Sequence, residues 1–206
     1  MGNFKTPQEE FWAGSFGDTY INRNMSEELL ASNINFFSKI IEHTSQVNSI
    51  LEFGANIGLN ILALRCILPK AEMSAIEINE KAIQELNKNV KEGKVYHESI
   101  LNFEVDYQRD FVFTKGVLIH LNPDYLKEIY KKLYESSRKY ICIAEYYNPS
   151  PVNITYRGHD DRLFKRDFAG EIMDLYPSLQ LVDYGFSYHR DNNYKQDDIT
   201  WFLLSK

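Results

Sequence analysis

Gly54 and Gly58 stand in Glu52-Phe53-Gly54-Ala55-Asn56-Ile57-Gly58, directly after the apolar residues Ile50 and Leu51 and directly before an apolar stretch over 59–68. A short apolar run, a carboxylate, a glycine turn and a second apolar run read as strand, tight turn and buried helix. Glycine at 54 and 58 lets the backbone close on a small molecule, and a helix opening near Gly58 offers unpaired N–H groups at its mouth. A second strand is expected over 72–78, with Glu77 near its end, 19 residues after Gly58. A carboxylate at that distance can accept both hydrogen bonds of a ribose diol. Turn and acid together point to a nucleoside site, although a plain strand-turn-helix with a surface glutamate would carry the same residues.

A dinucleotide site wants Gly-x-Gly-x-x-Gly, in which the middle glycine clears room for pyrophosphate. Here that position is Asn56. Its side chain crowds a pyrophosphate and can hydrogen-bond a smaller zwitterion, while Glu52 would repel phosphate and suit an ammonium group. The segment Glu-Phe-Gly-Ala-Asn-Ile-Gly resembles the first motif of class I S-adenosylmethionine-dependent methyltransferases, with Asn56 as a departure from the usual Gly-x-Gly-x-Gly.

The elements that must position these residues follow from periodicity. At 206 residues, 44% apolar and 14% aromatic, the chain can bury one good core. Residues 25–206 read as a single Rossmann-like domain, and residues 1–24 as an N-terminal lid or loop segment rich in aromatics and glycine. Ser26 is the expected N-cap of a helix with Leu30, Ile34, Phe37 and Ile41 at helical spacing, Met25 stapling onto Leu30. Further helices are expected over 80–90, from Asn122-Pro123 with Leu126, Ile129, Tyr130 and Leu133 inward, and over 164–175. Strands are expected over 94–101, 108–114 and 140–146, and an antiparallel pair over 179–188 and 199–204. Residues 148–162, with two prolines and a glycine, read as an irregular loop. The result is an α/β, doubly wound sheet of about seven strands closing on an antiparallel strand.

A formal charge of −6 argues against a general nucleic-acid binder. No 18-residue apolar run occurs and no basic-then-apolar leader opens the sequence, so neither membrane insertion nor secretion is expected. Cys66 and Cys142 lie in apolar stretches and read as reduced, buried core residues; no metal site is expected.

In such a sheet, ligands bind outside the carboxyl ends of the strands. By that rule Glu52, Gly54, Asn56 and Gly58 shape the turn, Glu77 and Ile78 serve the ribose, Ser99 and Ile100 flank the adenine, and Thr114, Lys115 and Gly116 line the methionine arm of S-adenosylmethionine. Candidates for holding an acceptor are Tyr20 and Arg23 of the polar cluster in the N-terminal segment and, at the edge, Tyr146, Tyr147, Asn148, Tyr156, Arg157, His189 and Arg190. Several cations near one mouth of an acidic protein suit an anionic small molecule. Methyl transfer needs alignment, plus a base when a hydroxyl is the nucleophile. His120 and His159 are the candidate bases, with His189 third and Glu145 or the tyrosines as substitutes.

A more specific resemblance rests on Phe-Trp-Ala-Gly-Ser-Phe-Gly-Asp-Thr-Tyr, Phe-Thr-Lys-Gly-Val-Leu-Ile-His-Leu-Asn-Pro, Glu-Tyr-Tyr-Asn-Pro-Ser-Pro-Val, Tyr-Arg-Gly-His, Leu-Phe-Lys-Arg-Asp-Phe-Ala-Gly-Glu and Asp-Asp-Ile-Thr-Trp-Phe-Leu-Leu. These look like the pseudaminic acid biosynthesis-associated methyltransferase family. The resemblance implies a bacterial, cytoplasmic enzyme whose acceptor is an anionic sugar or nucleotide-sugar. Two other readings stay open: a cofactor-binding regulatory or assembly protein without transfer, and a nicotinamide-dependent oxidoreductase, which Asn56 and the closing hairpin disfavour.

Overall fold

The computed structural model describes residues 4–21, 26–90 and 93–206. Two short helices come first, α1 (Pro7–Ala13) and α2 (Ser15–Ile21), then α3 (Glu27–Ile41). Next come β1 (Ser49–Phe53), α4 (Leu59–Ile67), β2 (Glu72–Glu77), α5 (Glu80–Asn89), β3 (Val95–His97) and β4 (Arg109–Lys115). After two 3-10 turns, Leu118–His120 and Pro123–Tyr125, follow α6 (Leu126–Ser136), β5 (Ser137–Glu145), β6 (Val152–Tyr156) and β7 (His159–Lys165). The chain closes with α7 (Phe168–Leu175), β8 (Gln180–Ser187) and β9 (Ile199–Ser205).

Seven strands form one sheet in the order β3-β2-β1-β4-β5-β9-β8, and β6 pairs with β7 in a separate hairpin. The first five strands of that order run parallel, while β9 is antiparallel to both β5 and β8. The strand order reverses between β1 and β4, which opens a crevice at their carboxyl ends. Every residue of β1 is buried. Alternate side chains feed two cores: Ile50, Phe111 and Phe113 pack with Phe37, Ile40, Ile61 and Leu64 on one face. Leu51, Phe53 and Val112 pack with Ile129, Leu133 and Ile172 on the other. Each fully buried side chain of this kind stabilises the fold by roughly 1.5–3 kcal/mol.

Ser26 caps α3 as expected, its Oγ accepting the Leu29 N–H at 3.1 Å. Met25, the expected staple, lies outside the described residues. The segment read as an N-terminal loop is helical where it is described. Thr6 Oγ1 accepts the Glu9 N–H at 3.2 Å and Glu9 returns a carboxylate to the Thr6 N–H at 2.7 Å, with Pro7 in the first turn. That reciprocal cap starts α1 despite the lack of a long period.

The expected loop over 148–162 also differs, because most of it is the β6/β7 hairpin. Arg157 (φ 51°) and Gly158 (φ 84°) form its left-handed tip. Consequently Phe164 belongs to β7, and α7 begins only after Asp167, whose carboxylate accepts the Gly170 N–H at 2.8 Å. Cys142 is buried, whereas Cys66 is exposed, contrary to expectation. No helix among the described residues is long and apolar enough to cross a membrane.

Candidate active site

At the β1/β4 crevice lies a cavity of about 530 Å³, lined by the turn after β1, the ends of β2 and β4, residues 98–100, and α1 and α2 above them. Asn56 takes φ 49°, a left-handed conformation that asparagine tolerates better than most residues. This is why an asparagine can stand where the motif usually has glycine. Gly54 (φ 76°) is excluded from bearing a side chain for a second reason: a Cβ would meet the methyls of Val117 at 2.7–2.8 Å. The turns after β1 and β4 therefore touch.

Glu77 is buried and ties these turns to β2. Its Oε2 accepts the Asn56 N–H at 2.7 Å, and its Oε1 accepts the N–H groups of Ile78 at 2.9 Å and Asn79 at 2.7 Å. A carboxylate offers about four acceptor positions, so one remains on Oε2. Burial raises the Glu77 pKa against the pull of those three N–H groups. Glu52 is fully buried behind the turn. Asn60 Nδ2 donates to its Oε1 at 2.7 Å, while Oε2 has no partner, and burial pushes its pKa up to about 8. Asn56 Oδ1 likewise has no partner.

At the end of β4, Lys115 donates to Asn33 Oδ1 at 3.2 Å. Desolvation pulls its pKa down to about 8, against the field of Glu52. Gly116 (φ 67°) lines the cavity, and a Cβ there would meet nothing within 4 Å, leaving backbone open to a ligand. Glu145, at the end of β5, accepts the N–H groups of Val117 at 3.0 Å and Leu118 at 2.9 Å, so it holds the turn that delivers His120. Burial lifts the Glu145 pKa to about 7.

His120 lines the cavity at 7% exposure. Its Nδ1 lies 2.6 Å from the Arg162 carbonyl of β7. A carbonyl only accepts, so Nδ1 carries the proton and Nε2 keeps a lone pair. Desolvation lowers the His120 pKa to about 4, and the ring is neutral at pH 7.

The roof comes from α1 and α2. Trp12 packs against His120 (4.7 Å between ring centres), Tyr20 (5.2 Å) and Phe16 (5.3 Å). Asn79 Nδ2 donates to the Trp12 carbonyl at 3.3 Å and to Asp18 Oδ1 at 3.0 Å, and Lys81 pairs with Asp18 at 2.5 Å. Glu9 accepts the Ser99 hydroxyl, and Lys5 Nζ donates to the Leu101 carbonyl at 3.0 Å. The roof is thus fastened to the loops after β2 and β3.

Of the residues expected from sequence, Gly54, Asn56, Glu77, Ile78, Ser99, Ile100, Lys115, Gly116, Tyr20, Arg157, His189 and His120 line this one cavity. Glu52, Gly58 and Thr114 stand behind it: Gly58 (φ 81°) caps α4, and Thr114 Oγ1 donates to Glu145 at 3.2 Å. Tyr146, Tyr147, Asn148, Tyr156 and Arg190 are outside the lining. Tyr156 packs at a tilt against His120, 4.9 Å between ring centres, and exposed Tyr147 leans on Phe202. Arg23 lies outside the described residues. His159 is exposed and packs edge-on against Phe11 and Phe16, away from the cavity, so only His120 of the two candidate bases reaches it.

The expected cluster of cations is also smaller. Arg157, Lys195 and Lys115 line the cavity alongside the acid Asp197, whereas Arg162 turns over the Phe11 ring at 5.1 Å. Sequence reasoning missed Gln8, Trp12, Asn33, Asn60 and Asn79. The pattern Thr6-Pro7-Gln8-Glu9 is the one signal that could have placed Gln8 and Trp12 on a helix.

Sheet order, switch point and cavity define the Rossmann-like α/β fold of class I methyltransferases. No protein-family model matches the sequence, and no curated protein does. Among solved structures, a 1,6-didemethyltoxoflavin-N1-methyltransferase of Burkholderia thailandensis, with bound 1,6-didemethyltoxoflavin and S-adenosylhomocysteine, aligns with a TM-score of 0.73 at 11% identity over 100% of this chain and 92% of its own. A SAM-dependent methyltransferase of Leishmania major aligns with a TM-score of 0.71 at 15% identity, over 99% of this chain and 87% of its own. A plantazolicin methyltransferase, also in complex with S-adenosylhomocysteine, gives 0.66 at 15% identity over 97% and 93%. At these identities the likeness establishes the shared fold.

Proposed function

We propose that the chain is an S-adenosylmethionine-dependent methyltransferase acting on a hydroxyl or amine of a small molecule, an anionic sugar or nucleotide-sugar. The observation that carries the reading is the sharing of one cavity by the Glu77-laced glycine turn and a neutral His120 with a bare Nε2. The cofactor supplies a methyl group on a sulfonium centre. The residues fit it: Gly54, Asn56 and Gly116 let backbone approach, and the free position on Glu77 Oε2 suits a ribose hydroxyl. Unpartnered Asn56 Oδ1 suits a donor-only ammonium, backed by the acid Glu52. Ile78 and Ile100 supply apolar contact for the adenine, with Ser99 beside them.

His120 Nε2 accepts a hydrogen bond from the nucleophile, aims its lone pair, and takes the proton as the new bond forms. With a pKa near 4, His120 contributes more by orientation than by basicity. Arg157 and Lys195 at the cavity wall suit an acidic acceptor, in keeping with the resemblance to the pseudaminic acid-associated family and its cytoplasmic setting. In this reading residues 1–24 form the lid of a single domain, 25–206. Calorimetry of S-adenosylhomocysteine with the intact chain and with Glu77→Ala tests the assignment. Micromolar binding that the variant loses is the expected result; no binding by the intact chain overturns it. Binding without turnover of any acidic or nucleotide-linked sugar leaves a cofactor-binding regulatory protein.

A further inference from the structure

Gln8 on α1 is 5% exposed and lines the cavity. Its Nε2 donates to the Asp161 carbonyl at 3.0 Å. Because that carbonyl only accepts, the orientation of the amide is set and Oε1 is the atom turned away. Oε1 has no partner among the described residues. One helical turn later Trp12, also lining the cavity, holds an indole N–H that has no partner either. Residues four apart on a helix share a face, so an open acceptor and an open donor stand side by side on the roof.

The glycine turn presents different chemistry. The unpartnered atom there that belongs to a lining residue, Asn56 Oδ1, is an acceptor. A donor-only ammonium satisfies it and would leave the Trp12 N–H unanswered. A hydroxyl is donor and acceptor at once: it can donate to Gln8 Oε1 while accepting from Trp12 Nε1. The rings of Trp12, Tyr20 and His120 give that hydroxyl flat apolar walls suited to a ring carrying it. Enclosed polar atoms without partners favour a ligand that completes them and penalise one that cannot.

We infer that Gln8 and Trp12 form a specificity subsite for a hydroxyl group on the ring of the methyl acceptor. The inference rests on the sugar-methyltransferase reading above. It separates hydroxylated from bare anionic rings, a choice that Arg157 and Lys195 cannot make by charge.

The test uses the full chain, labelled with nitrogen-15 at its two tryptophans and saturated with S-adenosylhomocysteine. It is titrated with N-acetylneuraminate, an acidic sugar, or with cyclohexanecarboxylate, a ring anion without hydroxyls. Trp12→Phe assigns the Trp12 N–H resonance and keeps the aromatic packing. The sugar acid should move that resonance to saturation and the bare ring should not. Gln8→Leu and Trp12→Phe should each weaken sugar binding by roughly 10-fold or more, while S-adenosylhomocysteine affinity stays within about twofold and both variants melt cooperatively. Sugar affinity unchanged in both variants overturns the subsite, as does a Trp12 resonance already moved by S-adenosylhomocysteine alone, which would assign the pair to the cofactor. Failure of the saturated wild type to bind the sugar acid overturns the sugar reading and the subsite with it. Failure to bind S-adenosylhomocysteine overturns the methyltransferase reading itself.

Discussion

Asn56 and Glu77, 21 residues apart in sequence, are joined by a 2.7 Å hydrogen bond from the Asn56 N–H to Glu77 Oε2. The glycine turn and the acid at the end of β2 are therefore one mechanical unit. Glu77→Gln keeps the shape and turns an amide NH₂ toward at least one of three backbone donors. We expect a loss of about 1–3 kcal/mol in denaturant unfolding and a fall of at least roughly 10-fold in S-adenosylhomocysteine affinity. Full affinity with lost stability would confine Glu77 to a scaffolding role.

The neutral state of His120 makes stability depend on pH. Its folded pKa, about 4, lies below the ordinary value of 6.5, so the unfolded chain binds more protons between them. Its contribution is complete above pH 6.5 and is lost as pH falls toward 4, a difference of roughly 3 kcal/mol at most. His120→Gln should flatten the unfolding free energy measured over that window relative to wild type. An unchanged slope would show that His120 is not the buried, neutral group described.

The two candidate histidines separate in turnover. With an acceptor in hand, His120→Ala should lower kcat by about 100-fold or more and leave S-adenosylhomocysteine binding intact. His159→Ala should change kcat by less than about threefold, since its ring lies against Phe11 and Phe16 on the outside. The opposite ranking, in steady-state kinetics, would move the chemistry to the hairpin.

Gly17 controls the roof. A Cβ there would lie 1.9 Å from the Trp12 carbonyl oxygen, so Gly17→Ala must push α1 and α2 apart. The expected cost is about 1–3 kcal/mol, confined to the roof. Hydrogen exchange should quicken in α1 and α2 while β1 and β4 keep their protection; uniform loss across the sheet would refute that confinement.

The sheet was legible because buried parallel strands are continuous apolar runs and their helices are long enough to show a period: 49–53, Glu77 and the Ser26 cap emerge from residues alone. The roof was not. Helices α1 and α2 have seven residues each and are punctuated by Gly14 and Gly17, so no period develops. The hairpin escaped for a different reason. β6 does alternate, Val152-Asn153-Ile154-Thr155, but it is only five residues long, its apolar members stay exposed, and the prolines at 149 and 151 and Gly158 around it read as loop. Gln8 and Trp12 were lost with the roof, and His120 could not be told from His159 until the Arg162 carbonyl was placed beside it.

The cavity draws its floor and its roof from different stretches of chain. Residues 49–100 build the glycine turn, Glu77 and the flank at 99–100, whereas α1, the hairpin tip and residues 195–197 supply the groups above and around them. The two sets meet at few points, chiefly Asn79 against Trp12 and Asp18 and Ser99 against Glu9, so a substitution elsewhere in the second set leaves the turn after β1 in place. The fold is shared at 11% identity with the 1,6-didemethyltoxoflavin-N1-methyltransferase over 100% of this chain. In the methyltransferase reading proposed above, the roof and hairpin are the places to diversify when a new acceptor is wanted.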